Sequence, residues 1–347
     1  MSSTARNALV LIAVVIAGAA LYWLRGILTP FALAIFLLVM IDGIARALNR
    51  YVPAAPRPAS LTAAIGLVVL AFAGSVWILI DGFQSFAAEL SGMRARINVV
   101  IADLAGLVHV RALPTVDQLM NQADPQKYLG TLAGAMQNIG GSAVFVLIYL
   151  GFLLASRAAV RRKLVALFPH GGGRREATHV MERIRSAMES YIWVQTVLGL
   201  LIAALAWGLM ALVGLDNALF WAFVIFITGY VPIVGGAIAI IAPPLFALIQ
   251  FTTYWQAIAL FVGLEAILFI VGNVLLPRMQ AKSMNIDPVV VLLSLAFWGS
   301  LWGVTGAFLS TPLTVMVMAV MAEFKGSRWL AVLLSDDGAP WPTDPAD

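Results

Sequence analysis

The sequence predicts an all-α membrane protein, a polytopic helical bundle with two opposed broken or re-entrant helical hairpins in an inverted repeat. Three observations predict it. Hydrophobic residues make up 62% of the 347 residues and charged residues only 11%, whereas a soluble domain carries about 25% charged residues. Several apolar runs approach the roughly 20 residues that span a bilayer. Two of the later runs are each interrupted near the middle by glycine.

The charge and the cysteine content narrow the possible partners and chemistry of the protein further. The net charge is +4, and the basic residues cluster beside apolar runs, which favours an anionic inner leaflet over nucleic acid as the partner. The chain contains no cysteine, so disulfides and thiolate chemistry are excluded. Its three histidines share no metal-ligand spacing. We therefore expect no enzyme activity, no cofactor and no metal.

The region 1–80 contains three predicted spans, at 7–24, 30–48 and 61–80. The first is followed by Arg25 and Pro30 and not by a small-residue cleavage site, so we expect a retained span and not a signal peptide.

The region 81–137 is mixed and amphipathic, which predicts an extracytoplasmic helical segment. One helix is expected to start at Thr115, where a capping-box spacing begins, and another at Asp124, an N-cap before Pro125. The fourth span is predicted at 138–156.

The region 157–190 is predicted to be a cytoplasmic basic amphipathic segment. Eight basic residues stand against three acids there, and basic residues concentrate on the cytoplasmic side of membrane proteins. The N-terminus and the tail at 323–347 fall on the same side. The helical face that contains Met188 and Tyr191 is predicted either to lie on the inner leaflet or to pack against a neighbouring protomer.

The predicted transport core, 191–322, consists of a span, a hairpin, a second span and a second hairpin. Pro232 beside Gly235 and Gly236 requires a helix interruption, which breaks the first hairpin. The last apolar run, 288–321, would be about 51 Å long as one helix. Because the hydrocarbon core is roughly 30 Å thick, this run is predicted to turn back near Gly303. The two hairpins would enter the membrane from opposite faces.

A faint internal repeat supports this arrangement. Asp216 precedes Gly235 by 19 residues, and Asp287 precedes Gly306 by the same interval. Inverted repeats with broken helices that meet near the midplane are typical of secondary transporters.

The breaks predict a substrate pathway, because irregular backbone at membrane depth survives only where protein or a wet cavity surrounds it. The candidate residues are Pro232, Gly235, Gly236, Gly299, Gly303, Gly306, Pro312, Gln195 and Asn273. Half-helix ends carry partial charges that bind a polar or anionic solute without a charged side chain. The alternative for Gly299 and Gly303, which have small-xxx-small spacing, is close helix packing.

Polar residues inside the spans form a second set of candidates. Glu265 is either a proton or cation site or a hydrogen-bonding partner of a neighbouring helix. The amide side chains within the spans are interpreted as forming hydrogen bonds between helices in preference to contacting a ligand. They belong to Gln195, Gln250 and Asn273. The two aspartates that start the hairpins, Asp216 and Asp287, are interpreted as helix N-caps in preference to ligands of an ion.

Several short motifs follow one another along the second half of the chain, over about 150–320. They are 164–169, Tyr191 with Gln195, 231–235, 272–277, Pro288, 297–303, Gly306 and 309–313. In these motifs the chain resembles the autoinducer-2 exporter family, also described as a family of permeases. The resemblance implies transport, a multi-pass protein of the bacterial inner membrane and a homo-oligomer, with a pentamer of largely independent protomers expected. It does not fix the substrate, since members are credited with a signalling sugar derivative and with cation/proton exchange.

Three positions depart from the family pattern. Val194 stands where a glycine is common, Val271 where members often have an acid, and Ala281 where a glycine is usual. If the acid that is absent at position 271 binds a substrate or coupling ion in other members, the species transported by this chain differs from that of the family namesake.

Three functional hypotheses follow. The first is a membrane transporter or exporter of a small polar solute, an autoinducer-2-like signal molecule or related metabolite, that uses the opposed hairpins. The second is a sodium or other cation/proton antiporter that uses Glu265. The third is a non-transporting membrane scaffold or regulator whose 157–185 region binds a soluble partner.

Overall fold

The computed structural model describes residues 3–51, 56–92, 96–100, 102, 141–157, 159, 171–280, 286–323 and 326–338. Every regular element in these ranges is helical. The predicted helix starts at Thr115 and Asp124 and the family departure at Ala281 lie outside the described residues.

The chain forms helices of very different lengths. In order they are α1 (Ser3–Trp23), α2 (Arg25–Tyr51), α3 (Arg57–Gly92), α4 (Gly141–Arg157), α5 (Gly171–Val213), α6 (Ala218–Thr228), α7 (Val234–Gln250), α8 (Trp255–Ile270), α9 (Leu276–Gln280), α10 (Pro288–Glu323) and α11 (Arg328–Leu334). A single π-helical turn, Val271–Leu275, joins α8 to α9.

Within the described ranges, five helices are long and apolar enough to cross a membrane. Their spans are Arg25–Tyr51, Pro58–Ser85, Ile184–Val213, Trp255–Leu275 and Pro288–Ala322. The apolar parts of predicted spans one and four, Ile12–Trp23 and Gly141–Arg157, are shorter. The prediction of an all-helical polytopic membrane protein is confirmed.

Helix α5 is continuous through residues 190 and 191, where the sequence predicts a boundary between the basic segment and the transport core. Its 43 residues extend about 64 Å at 1.5 Å per residue. Met188 and Tyr191 are each 5% exposed, so this face packs inside its own chain. Both predicted locations for the face, the inner leaflet and a neighbouring protomer, are therefore wrong for these two side chains.

The chain divides into two compact units. One comprises Met1–Ile65, Val144–Trp193 and Ser283–Asp347, and the other comprises Gly66–Ala143 and Val194–Lys282. The predicted first hairpin belongs to the second of these units and the predicted second hairpin to the first. The domain boundaries drawn from the sequence remain predictions.

The unit that contains the first hairpin has an apolar core between α5, α6, α7 and α8. Met210, Phe246 and Leu260 are at most 2% exposed and belong to one cluster, which also includes Trp221. Each such buried side chain stabilises the fold by about 1.5–3 kcal/mol relative to water. Helix α7 packs on both α6 and α8, and this packing fixes the position of the first hairpin.

In the other unit, α10 packs on α1, α2 and α11, and a charge network joins α2, α4 and α5. Asp42 accepts from Arg157 at 2.5 Å and from Arg185 at 3.2 Å. Arg185 also pairs with Glu189 at 3.0 Å, and Glu189 pairs with Arg46. Because each carboxylate is shared by two guanidinium groups, the network ties three helices together at the end of α2 that carries Arg46.

Candidate functional site

The predicted break at Pro232 is present. Helix α6 ends at Thr228 and α7 begins at Val234. Between them Ile233 has φ 64° and ψ −49°, and the Val234 N–H donates to the Pro232 carbonyl at 2.7 Å. This geometry is a γ-turn of positive φ, a rare and strained conformation. Such strain costs about 1–3 kcal/mol and persists only where the surroundings enforce it.

The first hairpin folds back closely at this break. Helices α6 and α7 pack against each other, and Gly235 is buried at the start of α7. A Cβ atom at Gly235 would overlap the backbone of Thr228, whereas a Cβ at Gly236 would meet nothing within 4 Å. Glycine is therefore required at position 235 and not at position 236.

Two neighbouring polar side chains of α5 satisfy groups at this break. Gln195 Nε2 donates to the Gly229 carbonyl at 2.6 Å, and the hydroxyls of Thr196 and Tyr230 lie 2.7 Å apart. Tyr230 is only 3% exposed. The hydrogen-bonding role predicted for Gln195 is confirmed. Sequence reasoning missed Thr196 and Tyr230, although a polar pair inside an apolar span is the signal that indicates them.

Gln250 closes the base of the first hairpin. Its Oε1 accepts from the Asp216 N–H at 2.9 Å, and its Nε2 donates to the Gly214 carbonyl at 3.0 Å. The hydrogen-bonding interpretation of Gln250 is confirmed. The N-cap interpretation of Asp216 is wrong, because Asn217 occupies that position with φ 53° and makes no side-chain cap.

The second break lies at Gly303, inside α10. Its φ of 63° and ψ of −141° are not helical. Trp298 Nε1 donates to Thr314 Oγ1 at 3.2 Å, although residues 16 positions apart would be separated by about 24 Å in a straight helix. The chain therefore reverses at Gly303, and α10 consists of two arms, 288–302 and 304–323.

Close contacts continue along these arms. A Cβ at Gly306 would overlap the Trp298 carbonyl, and a Cβ at Gly299 would lie 3.9 Å from Ala307 Cβ. The distance at Gly299 is an ordinary van der Waals contact, so close packing of the two arms requires glycine at position 306 and not at position 299. At the base of the hairpin, the Val289 N–H donates to Asp287 Oδ1 at 2.7 Å, which confirms Asp287 as an N-cap.

A cavity of about 180 Å³ lies beside the second hairpin. Apolar side chains of α1 and α2 line it together with Met188, Pro312 and Trp302. The indole N–H of Trp302 is already used, since it donates to the Leu21 carbonyl at 3.1 Å. The wall of the cavity is therefore apolar. The hydrogen bond of Trp302 holds the hairpin tip against α1.

Hydroxyl groups lie inside the second arm of this hairpin. Ser310 is fully buried, and Thr311 and Thr314 are 4% and 8% exposed. Ser310 and Thr314 donate to backbone carbonyls of their own helix. Within the described part of the chain, the buried Thr311 hydroxyl has no hydrogen-bond partner. Sequence reasoning passed over this residue, although it directly precedes Pro312.

Glu265 and Asn273 lie away from the breaks, on the exposed face of α8 and its π-helical turn. Asn273 donates to the carbonyl of Phe269, four residues earlier, so the bond of this side chain among the described residues lies within its own helix. Among the described residues, no hydrogen bond or ion pair involves Glu265, so both interpretations of this residue remain predictions. No group of three His, Asp or Glu side chains in the described ranges could share a metal ion.

Two of the family departures meet in space. Val194 and Val271 are 6% and 3% exposed and share one apolar cluster with Leu198. Because Val271 is buried among apolar side chains, this position supplies no carboxylate that could bind an ion.

Comparison with known proteins gives consistent results. The family described as AI-2E family transporter matches residues 11–326. The AI-2 transport protein TqsA of Escherichia coli is 26% identical over 314 residues, which are 89% of this chain and 90% of that protein. A Haemophilus influenzae protein with the provisional name of transport protein is 26% identical over 340 residues, 95% of this chain and 96% of its own. The E. coli protein YhhT, also provisionally named a transport protein, is 25% identical over 281 residues, 80% of each chain.

We predict opposite effects for two adjacent glycines. Gly235→Ala should destabilise the protein by about 1–3 kcal/mol, because the added methyl overpacks against the fixed backbone of Thr228. The matched control Gly236→Ala meets open space and should change stability by no more than about 1 kcal/mol. Thermal unfolding of the purified variants in detergent measures both. Equal melting temperatures for the two variants would contradict the close approach of α6 and α7.

A second prediction concerns Gln195. Gln195→Met keeps the side-chain length but leaves the Gly229 carbonyl without its donor, and an unsatisfied buried acceptor costs about 1–3 kcal/mol. Ser75→Ala is the control, since it removes a hydroxyl that is exposed and bonds only the Ala71 carbonyl of its own helix. The melting temperature should fall for the first variant and stay unchanged for the second.

Proposed function

Because this chain belongs to the AI-2E family of transporters, we propose that it moves a small polar solute across the membrane by means of its two glycine-broken hairpins. Family membership makes it a membrane transporter of small solutes, a permease with several membrane-spanning helices in the bacterial inner membrane. The hairpin mechanism, the solute and the orientation of the termini are our proposal.

One observation supports the hairpin mechanism most directly: both breaks are held by hydrogen bonds from neighbouring parts of the protein. Gln195 bonds the freed carbonyl of Gly229, and Trp302 bonds the carbonyl of Leu21. Irregular backbone inside a bilayer is tolerated only where it is buried in protein or lines a water-filled cavity. We therefore propose that the breaks border the solute pathway.

Arm lengths support a re-entrant arrangement. Helix α6 has 11 residues, about 16 Å, and the arm 288–302 is about 22 Å long at 1.5 Å per residue. Both are shorter than a hydrocarbon core of roughly 30 Å. We propose that the first hairpin enters from the extracytoplasmic face and the second from the cytoplasmic face, as an inverted repeat, with both chain termini in the cytoplasm.

The Trp302 hydrogen bond bears on the depth of the second hairpin. Leu21 lies two residues before the end of α1. If α1 crosses outward, as the basic residues predict, the tip at Gly303 lies in the outer leaflet. We therefore place this tip beyond the midplane at which the sequence pattern predicted the two tips to meet.

The chemistry beside the breaks favours an uncharged or weakly anionic polar solute. The hydrogen-bonding side chains of the first break are amide and hydroxyl groups, and an indole lies at the second. Helix N-termini such as that of α7 add partial positive charge. One relative is named as an AI-2 transport protein, and we propose an autoinducer-2-like signal molecule or related metabolite as the solute.

Cation/proton exchange is a second candidate function, and Glu265 is the observation that favours it. This carboxyl group lies midway along the span Trp255–Leu275 and is exposed on the protomer. Intramembrane acids often mark proton or ion pathways. Glu265→Gln distinguishes the two candidates, because it removes the titrating group and leaves the breaks intact.

We predict that proteoliposomes containing the protein exchange autoinducer-2 faster than protein-free liposomes. Solute flux should persist in the Glu265→Gln variant, because no residue at either break changes. Solute flux and proton flux are each measured with and without a pH or sodium gradient. Cation/proton exchange without solute flux, abolished by Glu265→Gln, would replace the proposal with the antiporter. The absence of any flux would contradict transport by the hairpins.

Because the chain lacks cysteine, single cysteines report the orientation of the second hairpin directly. Val289 at its base is 61% exposed and Val304 at its tip is 85% exposed. With a membrane-impermeant maleimide, Val289→Cys should react from the cytoplasmic side and Val304→Cys only from the extracytoplasmic side. Reaction of both from one side would contradict the proposed depth of the tip.

A further inference from the structure

The charge network that joins α2, α4 and α5 has a cationic outer surface, and we call it the arginine network. Its members are Arg46, Arg157, Arg185, Asp42 and Glu189. The side chains of Arg46 and Arg185 are 46% and 40% exposed, whereas those of Asp42 and Glu189 are only 21% and 16% exposed. The carboxylates therefore lie inside the network, and the guanidinium groups face outward.

Hydrogen-bond donors outnumber acceptors in the arginine network. Its three guanidinium groups carry about fifteen N–H donors, and its two carboxylates offer about eight acceptor sites. Within the described part of the chain, the Nε of Arg157 is buried and has no hydrogen-bond partner. A buried donor without an acceptor is costly, above all when it belongs to a charged group. The network therefore lacks acceptor oxygens.

The charged side chains nearby that the structure describes leave the same excess of positive charge. Glu182 is exposed on α5 and lies within electrostatic range of Arg46. Arg50 is exposed in the last turn of α2 and adds a further cation. Four guanidinium groups thus stand against three carboxylates. A bound oxyanion supplies both the missing charge and the missing acceptors.

The position of the arginine network along the helices indicates where that oxyanion comes from. Arg157 is the last residue of the apolar helix α4, and Arg185 is the second residue of the apolar span Ile184–Val213. Where the apolar parts of spanning helices end, the hydrocarbon core gives way to the headgroup region. Phospholipid phosphates lie in that region, so a lipid presents its phosphate at the level of the network.

We propose that the arginine network binds the phosphodiester group of an anionic phospholipid, which belongs to the cytoplasmic leaflet in the orientation proposed above. Basic pockets between spanning helices on that side bind anionic headgroups, and guanidinium groups bind phosphate oxygens in pairs. One phosphate that contacts Arg46 and Arg185 bridges the ends of α2 and α5. This site does not require transport by the hairpins.

Arginine footprinting of the full chain tests the proposal. Phenylglyoxal, an uncharged reagent that modifies guanidinium groups, is applied to the protein in nanodiscs of phosphatidylglycerol or of phosphatidylcholine with the same acyl chains. Mass spectrometry then gives the modification rate of each arginine. Phosphatidylglycerol should slow the modification of Arg46 and Arg185 several-fold relative to phosphatidylcholine. Arg278, which is exposed on α9 outside the network, is the control within the same molecule and should change little.

Two further arms identify the site and the source of the phosphate. Arg46→Gln should reduce the protection of Arg185 by phosphatidylglycerol, whereas the matched control Arg278→Gln should leave it unchanged. Inorganic phosphate, added to phosphatidylcholine nanodiscs at equal ionic strength, should not protect either arginine.

Four results would overturn the proposal. Equal modification rates in the two lipids would show that no headgroup is bound, and equal protection of Arg278 would show a general surface effect. Protection by inorganic phosphate to the same extent would assign the site to a soluble anion. Arg46 and Arg185 that stay unreactive in both lipids would show that protein covers the network. None of these results changes the flux measurements, so failure of this site and failure of the transport mechanism are distinguishable.

Discussion

Polar groups at a helix break in apolar surroundings must find partners inside the protein, and hydrogen bonds to such groups hold both hairpins. At the first break, the carbonyl of Gly229 is bonded by Gln195 from α5. At the second, the indole of Trp298 reaches Thr314 on the opposite arm. In a surface loop, each of these groups would bond with solvent instead. The positions of the breaks therefore dictate which neighbouring side chains are polar.

The two hairpins satisfy the constraint in different ways. The first uses a strained γ-turn at Ile233 and side chains from α5. The second uses the positive φ of Gly303 and close packing at Gly306, and only its tip is bonded to another helix. The first break is thus coupled to α5, whereas the second is stabilised mainly by its own two arms and by Trp302.

Polar residues within the spans fall into two groups with different physical roles. Gln195 and Thr196 face the protein interior and hold the first break in place. Glu265 and Asn273 face outward, where nothing within the described chain bonds Glu265. A polar group inside a bilayer is costly unless it is paired; the inward group is paired at the hairpin, and of the outward group Asn273 is paired with the Phe269 carbonyl of its own helix. Composition alone does not separate these roles, because all four residues lie in equally apolar sequence.

The sequence by itself determined the membrane class, the locations of both breaks and the N-cap at Asp287. These features follow from local properties: hydropathy over a window, the backbone freedom of glycine and the missing N–H of proline. Only the tertiary structure decided that α5 runs unbroken through residue 190, that Asn217 replaces Asp216 before α6, and that Asn273 bonds its own helix in a π-helical turn. The pairing of Gln195 with Gly229 likewise emerged from the fold. Each depends on which distant groups meet in space, and a pattern along one helix carries no information about the neighbour that it will face.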